Sequence, residues 1–190
     1  ELISEHTYRL SLLLRGQAGS APEMLATRPA GARFVLLDDA VVQPAISLSQ
    51  AGLATTWRLL PSHHELGRAE RVLDHRGLLL GLRPLSPVHP RARRTGADLA
   101  LSWTRRSRIG GDSWDLAEVP LGEERESYDL EIRAGGLPKR SLRLTEPAYL
   151  YTAAQMNADL GQGARSFTLR VAQVSAAYGP GAFLETTIDV

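Results

Sequence analysis

An all-β protein is predicted by two features of this 190-residue chain. Short runs with apolar residues at every second position recur through its second half, the signature of half-buried strands. Each run is closed by Gly, Pro, Asp or Asn, the residues that turn a chain between strands. Against these runs stands a single helical candidate, Ala153 to Leu160. The expected architecture is a small β-rich domain over residues 1–83 followed by an antiparallel β-sandwich over 84–190, with a long loop at 105–127.

Tyr8 to Arg15 reads as a first strand running into the turn Gly16-Gln17-Ala18-Gly19-Ser20. Arg33 to Leu37 reads as a second, halted by Asp38-Asp39, and Thr55 to Leu60 and Arg71 to Leu73 as further strands. Gly77 to Leu82 fits a buried strand or part of a helix equally, because periodicity does not separate short apolar runs. Pro84-Leu85-Ser86-Pro87-Val88-His89-Pro90 holds three prolines in seven residues, which excludes a helix and favours an extended segment or an edge strand. Charge changes sign nearby, from +4 over residues 1–94 (12 basic, 8 acidic) to −3 over residues 95–190 (10 basic, 13 acidic). A domain boundary is therefore expected near 83–95.

Beyond it the alternation is clear. Leu99, Leu101 and Trp103 share one face, as do Tyr128, Leu130 and Ile132. Leu142 and Leu144 repeat the pattern, then Phe167, Leu169 and Val171, then the tail from Leu184 to Val190. In the helical candidate, Met156 and Leu160 lie four apart and Gly161 stops the element, so it is expected to be a turn or two linking strands. No repeat of 20–50 residues is visible.

Composition narrows the function classes. Apolar residues make up 43 % and charged residues 23 %, which excludes wholesale disorder, collagen and coiled coil. The longest apolar runs, such as Leu12 to Leu14 and Leu78 to Leu80, are far too short for a membrane-spanning helix. No signal-peptide pattern is present. A net charge of +1 gives no global field favouring nucleic acid. Zero cysteines exclude disulfides, thiolate nucleophiles and cysteine zinc sites. All basic residues but Lys139 are arginines, the side chain suited to planar, bidentate contacts. The chain opens on Glu1 and is expected to be part of a longer protein.

Two resemblances follow from these residues. Trp103 on an early strand, the Tyr-Asp-Leu-Glu-Ile run at 128–132, and Phe-Thr-Leu-Arg-Val-Ala-Gln-Val-Ser at 167–175 before Gly179-Pro180-Gly181 resemble a fibronectin type III domain. The resemblance implies that Trp103 and Tyr128 pack between two sheets and that the last hairpin turns at the glycine-rich corner. The chain departs from that pattern at Phe167, where a tyrosine-corner hydroxyl would lie, and in the long 105–127 link. Over most of residues 7–190, a set of motifs in one order resembles the C-terminal region of tail-tip host-specificity (baseplate hub) proteins of gene transfer agents and siphophage-like tails. These are Leu-Leu-Leu-Arg-Gly-Gln-Ala-Gly-Ser at 12–20, Gly-Ala-Arg-Phe-Val-Leu-Leu-Asp at 31–38, Trp-Thr-Arg-Arg-Ser-Arg at 103–108, Val-Pro-Leu-Gly-Glu at 119–123 and Val-Ala-Gln-Val-Ser at 171–175. That resemblance implies a structural and host-contacting role at the tip of a DNA-delivering particle. It also implies other tail and baseplate proteins as partners and, by analogy, a homotrimer in the particle.

The residues themselves bear on several chemistries. Gly111-Asp112-Ser113-Trp114-Asp115 begins like a nucleophile elbow but lacks the closing glycine and sits in a polar stretch. His63, His64 and His75 lie near Glu65 and Asp74 without a metal-ligand spacing, so surface histidines are expected. Asp112, Asp115, Glu118, Glu123, Glu124 and Glu126 supply carboxylates, but glycosidase chemistry needs two facing each other with one pKa raised. Cross-loop pairing of Arg105, Arg106 and Arg108 with Glu123, Glu124 and Glu126 is the structural expectation. Arg91, Arg93, Arg94, Arg105, Arg106 and Arg108 form a basic series without the interleaved aromatics of a nucleic-acid platform, and no direct nucleic-acid contact is expected. No catalytic, cofactor or metal site is assigned.

Trp114, flanked by Asp112 and Asp115, is the candidate contact for a saccharide or protein partner, with Tyr178 at the Gly179-Pro180-Gly181 corner as a rim contact. The competing reading has Trp114 fold back over an open sandwich edge and Tyr178 act as a turn residue. Trp57 and Trp103 are expected in cores. The expected function is a non-enzymatic, host-contacting module of a phage-like tail tip, binding a cell-envelope receptor or polysaccharide. An envelope-degrading enzyme module and a purely architectural spacer are the alternatives.

Overall fold

The computed structural model describes residues 1–190 apart from 25–26, 112–114 and 116–117. The chain divides into two compact units: residues 1–22 with 81–190, and residues 23–80. The expected single cut near 83–95 differs from this division on two counts. The change of unit comes at Gly81, and the first 22 residues group with the sandwich.

The first unit opens with a short antiparallel hairpin, β1 (Leu2–Ser4) and β2 (Thr7–Tyr8). The strand expected from Tyr8 to Arg15 therefore ends almost where it was expected to begin: Arg9 still exchanges backbone hydrogen bonds with Glu1, and residues 10–15 join no strand. The second unit is built on one hairpin, β3 (Ala54–Leu59) with β4 (Arg71–Arg76). Arg33 to Leu37, expected as a strand, has no regular structure, and Phe34 to Leu37 are exposed. Trp57, expected in a core, is half-buried on β3, and its indole N–H bonds the Thr55 hydroxyl on the same strand. Gly77 to Leu82 resolves neither as strand nor as α-helix but ends in a single 3-10 turn, Leu80–Leu82.

The sandwich occupies the rest. One sheet runs β5 (Val88–Thr95), β6 (Asp98–Thr104), β9 (Ala148–Tyr151). The facing sheet runs β8 (Leu137–Leu144), β7 (Tyr128–Ala134), β10 (Ser166–Ser175). Beyond β10 come β11 (Gly179–Pro180) and β12 (Leu184–Asp189) on the same side. Every pairing is antiparallel. Pro90 lies in β5, at the free edge and inside a register shift between Val88 and Arg91, a position where a missing N–H donor removes no ladder bond.

The alternating residues face each other as the period-2 pattern requires. Leu99, Leu101 and Trp103 of β6 meet Tyr128, Leu130 and Ile132 of β7 and Phe167, Leu169 and Val171 of β10 in one buried cluster. Trp103 and Tyr128 pack edge to face at 5.4 Å between ring centroids. Each fully buried side chain of this kind contributes roughly 1.5–3 kcal/mol.

The link from β9 to β10 is α1 (Ala153–Leu160). Thr152 caps it, with its hydroxyl accepting from the Gln155 N–H and the Gln155 side chain reaching back to the Thr152 N–H. Gly161, at φ +79°, ends it in a conformation that favours glycine. Met156 is its buried residue. Asp159 anchors the helix: Arg140 of β8 grips its carboxylate with two nitrogens, at 2.6 and 3.1 Å, and the Tyr151 hydroxyl donates to it at 2.9 Å. Tyr151 thereby supplies a buried hydroxyl anchor in a link where Phe167 provides none.

Candidate functional site

One end of the sandwich carries the long β6–β7 loop and the turn between β10 and β11. Arginines at the start of the loop hold its return limb. Arg105 donates to the carbonyls of Val119 at 2.6 Å and Pro120 at 3.1 Å, and lies 3.4 Å from the Glu118 carboxylate. Arg108 donates to Glu123 through Nε at 3.1 Å and a terminal nitrogen at 2.8 Å, and to the Gly122 carbonyl. The Glu123 side chain is only 4 % exposed and that of Arg108 16 %, so this pair is shielded from solvent. Gly122 adopts φ +73°, which permits the bend behind the pair, and an added Cβ would lie 3.0 Å from the Ser107 hydroxyl.

The cross-loop pairing expected from sequence is realised for Arg108 with Glu123 and altered elsewhere. Arg105 takes Glu118, while Arg106 donates through Nε to the Ser86 carbonyl at 2.7 Å. Glu126 accepts the Tyr128 hydroxyl at 2.7 Å. Glu124 accepts the Ala176 N–H at 3.2 Å, joining the loop's return limb to the turn that carries Tyr178. Hydrogen bonds from its own and the Ala176 N–H hold the Glu124 carboxyl below its ordinary range. That direction is opposite to what a general acid needs. The Tyr128 phenol is pushed far up, by burial first and then by its bond to Glu126.

Of the candidate contact residues, Tyr178 is a half-exposed turn residue whose N–H approaches the Ser175 hydroxyl at 3.4 Å. Asp115 is exposed on a bend of the long loop. Asp112 and Trp114 lie outside the described residues. The loop is thus shown at its base, and Tyr178 shares that end of the fold through Glu124. The basic series is not one patch. Arg91, Arg93 and Arg94 are exposed on the β5 edge, whereas Arg105, Arg106 and Arg108 are committed to holding the loop and the segment before β5. In the other unit, His63 and His64 pack edge to face on an exposed turn. Among the described residues no three metal-ligating side chains cluster. No helix there is long and apolar enough to cross a membrane.

Sequence reasoning missed a cleft beside this end, of about 230 Å³, lined by Arg83, Pro84, Ser86, Arg106 and Phe183 among others. Pro84 was singled out only as a helix breaker. In the fold its carbonyl accepts the Ala182 N–H at 3.2 Å, and a Cβ on Gly181 would overlap it. The Pro-Gly corner at 180–181 was the available signal, since close backbone approach is what glycine allows.

Strand order and loop placement define the class: an antiparallel, fibronectin type III-like sandwich module with one elaborated loop end. The sequence model of the Rcc01698-like, C-terminal family matches residues 1–35. Among solved structures, the chain is similar to domains d3–d4 of the rat CD45 extracellular region, with TM-score 0.42 and 9 % identity over 88 % of this chain and 80 % of that one. It is similar to the fibronectin type III domain of human fibronectin type III domain containing protein 3, with TM-score 0.34 and 21 % identity over 55 % of this chain and 85 % of that one. The Clostridium perfringens spore cortex lytic enzyme SleM is similar at TM-score 0.36 and 12 % identity, over 57 % of this chain and 29 % of the enzyme. Comparison with curated proteins finds no match.

Proposed function

We propose that the chain is a non-enzymatic, host-contacting module at the tail tip of a phage-like DNA-delivering particle, using the loop end of its sandwich to bind cell-envelope receptor or polysaccharide. The observation that carries this reading is the paired clamp at the loop base. Arg105 and Arg108 tie a long excursion to a rigid sandwich, the usual way a scaffold presents a contact loop. The order of motifs from 12–20 to 171–175 supports the tail-tip setting. The described carboxylates Glu118, Glu123, Glu124 and Glu126 are each engaged by an arginine, a backbone N–H or a tyrosine hydroxyl, an arrangement suited to holding a loop.

The test is binding of the labelled chain, displayed as a trimer, to intact recipient cells with and without their surface polysaccharide. Trimeric display matters because weak single sites become visible through avidity. Saturable binding that disappears with the polysaccharide is the expected result, and Trp114→Ala then weakens it with the fold unchanged. Absence of binding under multivalent display overturns the reading in favour of a scaffold whose partners are other tail proteins.

A further inference from the structure

The cleft beside the loop end has features that the loop clamp does not use. Two arginines, Arg83 and Arg106, line it, and no carboxylate does among the described residues. Arg106 is held by its Nε–H, which donates to the Ser86 carbonyl at 2.7 Å. Pinning that nitrogen fixes the plane of the guanidinium, and a fixed guanidinium plane is what bidentate recognition of a carboxylate requires.

Phe183 forms an aromatic wall of the same cleft. The Arg170 guanidinium carbon lies 4.3 Å from the Phe183 ring centroid, and Arg170 does not line the cleft. It stacks over the ring. Arg170 is itself tied to Glu131 at 2.7 Å and Glu185 at 2.9 Å, so the ring rests on a braced support. Pro84, buried against Gly181, adds apolar surface.

An apolar wall with a few converging polar groups is the composition of a small-molecule site. At about 230 Å³ the cleft is smaller than the roughly 300 Å³ at which drug-sized pockets begin, and suits one ring. We propose that it binds a carboxylate-bearing sugar ring, a uronic acid, with the carboxylate on Arg106 and the C–H face of the ring against Phe183. The inference rests on the reading of this end as a saccharide contact surface and names the chemical class it takes.

The test is an amide NMR titration of the 190-residue chain with sodium D-glucuronate. D-glucose, sodium acetate and inorganic phosphate are titrated in parallel at matched ionic strength. The expected result is saturable shifts at Ser86, Ala182 and Phe183 with glucuronate alone, weakening as salt is raised. Arg106→Gln weakens the binding about tenfold or more, the scale of a lost charge-assisted pair, with amide positions elsewhere unchanged. Arg106→Lys, which keeps the charge but loses the fork, also weakens it. Shifts of equal strength with glucose overturn the role of Arg106, and equal strength with acetate or phosphate overturns the role of the ring. An absence of saturable shifts at these amides overturns the site. The ligand comparison on the unaltered chain decides the matter even where Arg106→Gln fails to fold. Glucuronate binding without cell binding leaves the cleft standing and overturns the functional reading, and cell binding without glucuronate binding does the reverse.

Discussion

The Arg108–Glu123 pair joins two chain segments 15 residues apart, with both charges largely out of water. Removing one member of such a pair strands the other, which costs far more than the pair itself contributes. Arg108→Ala is therefore expected to lower stability by about 3 kcal/mol, read as the shift in a urea unfolding curve. The contrast is Arg143 with Asp129, where the arginine side chain is 54 % exposed and truncation is expected to cost about 1 kcal/mol or less. Three of the five tyrosines are raised from their ordinary range, in each case first by burial: Tyr128, Tyr149 and Tyr151. Tyr128 and Tyr151 are raised further by donating to a carboxylate, Glu126 and Asp159. A folded value above the unfolded value of about 10 means this contribution is complete below that pH and is lost as pH rises through the folded value. An alkaline titration followed by phenolate absorbance is expected to show Tyr128 and Tyr151 ionising only as the sandwich unfolds. Their ionisation in the intact fold would contradict the assigned hydrogen bonds.

At the scale of elements, the long loop and the β10–β11 turn are coupled by a bond from the Ala176 N–H to Glu124. The Glu124 carboxyl is lowered, so its contribution is present above the unfolded value of about 4.3 and disappears as pH falls through the folded one. Hydrogen exchange at Ala176, corrected for the intrinsic pH dependence, is expected to accelerate on acidification. Glu124→Gln is expected to remove that acceleration while exchange in β7 and β10 stays slow. The same scale explains which strands sequence reasoning recovered. β6, β7 and β10 each bury one face, so their apolar residues must alternate, and the alternation is visible in the string. Tyr8 to Arg15 alternates except at Leu13 and Arg33 to Leu37 is apolar without alternation, yet a strand exists only where another strand pairs with it. That partner is a tertiary fact. β9 escaped notice for the opposite reason: Ala148–Tyr151 is too short to show a period, yet it pairs along β6 from Ser102 to Leu99.

For the whole molecule, the decisive observation is where the core lies. Every member of the buried hydrophobic cluster falls between Leu99 and Ile188. Among the described residues 23–80 none is buried, although Phe34, Leu37, Val42 and Leu66 are all more than half exposed. Stability arises from burial, so a stretch with no buried residue contributes little. Residues 81–190 produced alone are expected to melt in one cooperative transition, within a few degrees of the full chain by circular dichroism. Loss of that transition would show that stability also depends on residues 1–80.

Local pattern was sufficient for the all-β class, for the faces of the main strands, and for the helix with its Gly161 stop. Each of these depends on neighbours within a few residues or on one-sided burial, both of which leave a period or a spacing in the string. Tertiary structure alone decided the rest. It grouped residues 1–22 with the sandwich, turned Arg106 away from the loop to Ser86, set Pro84 against Gly181, and stacked Arg170 over Phe183. Those contacts join residues far apart in the chain, and their energy depends on distances that no local spacing encodes.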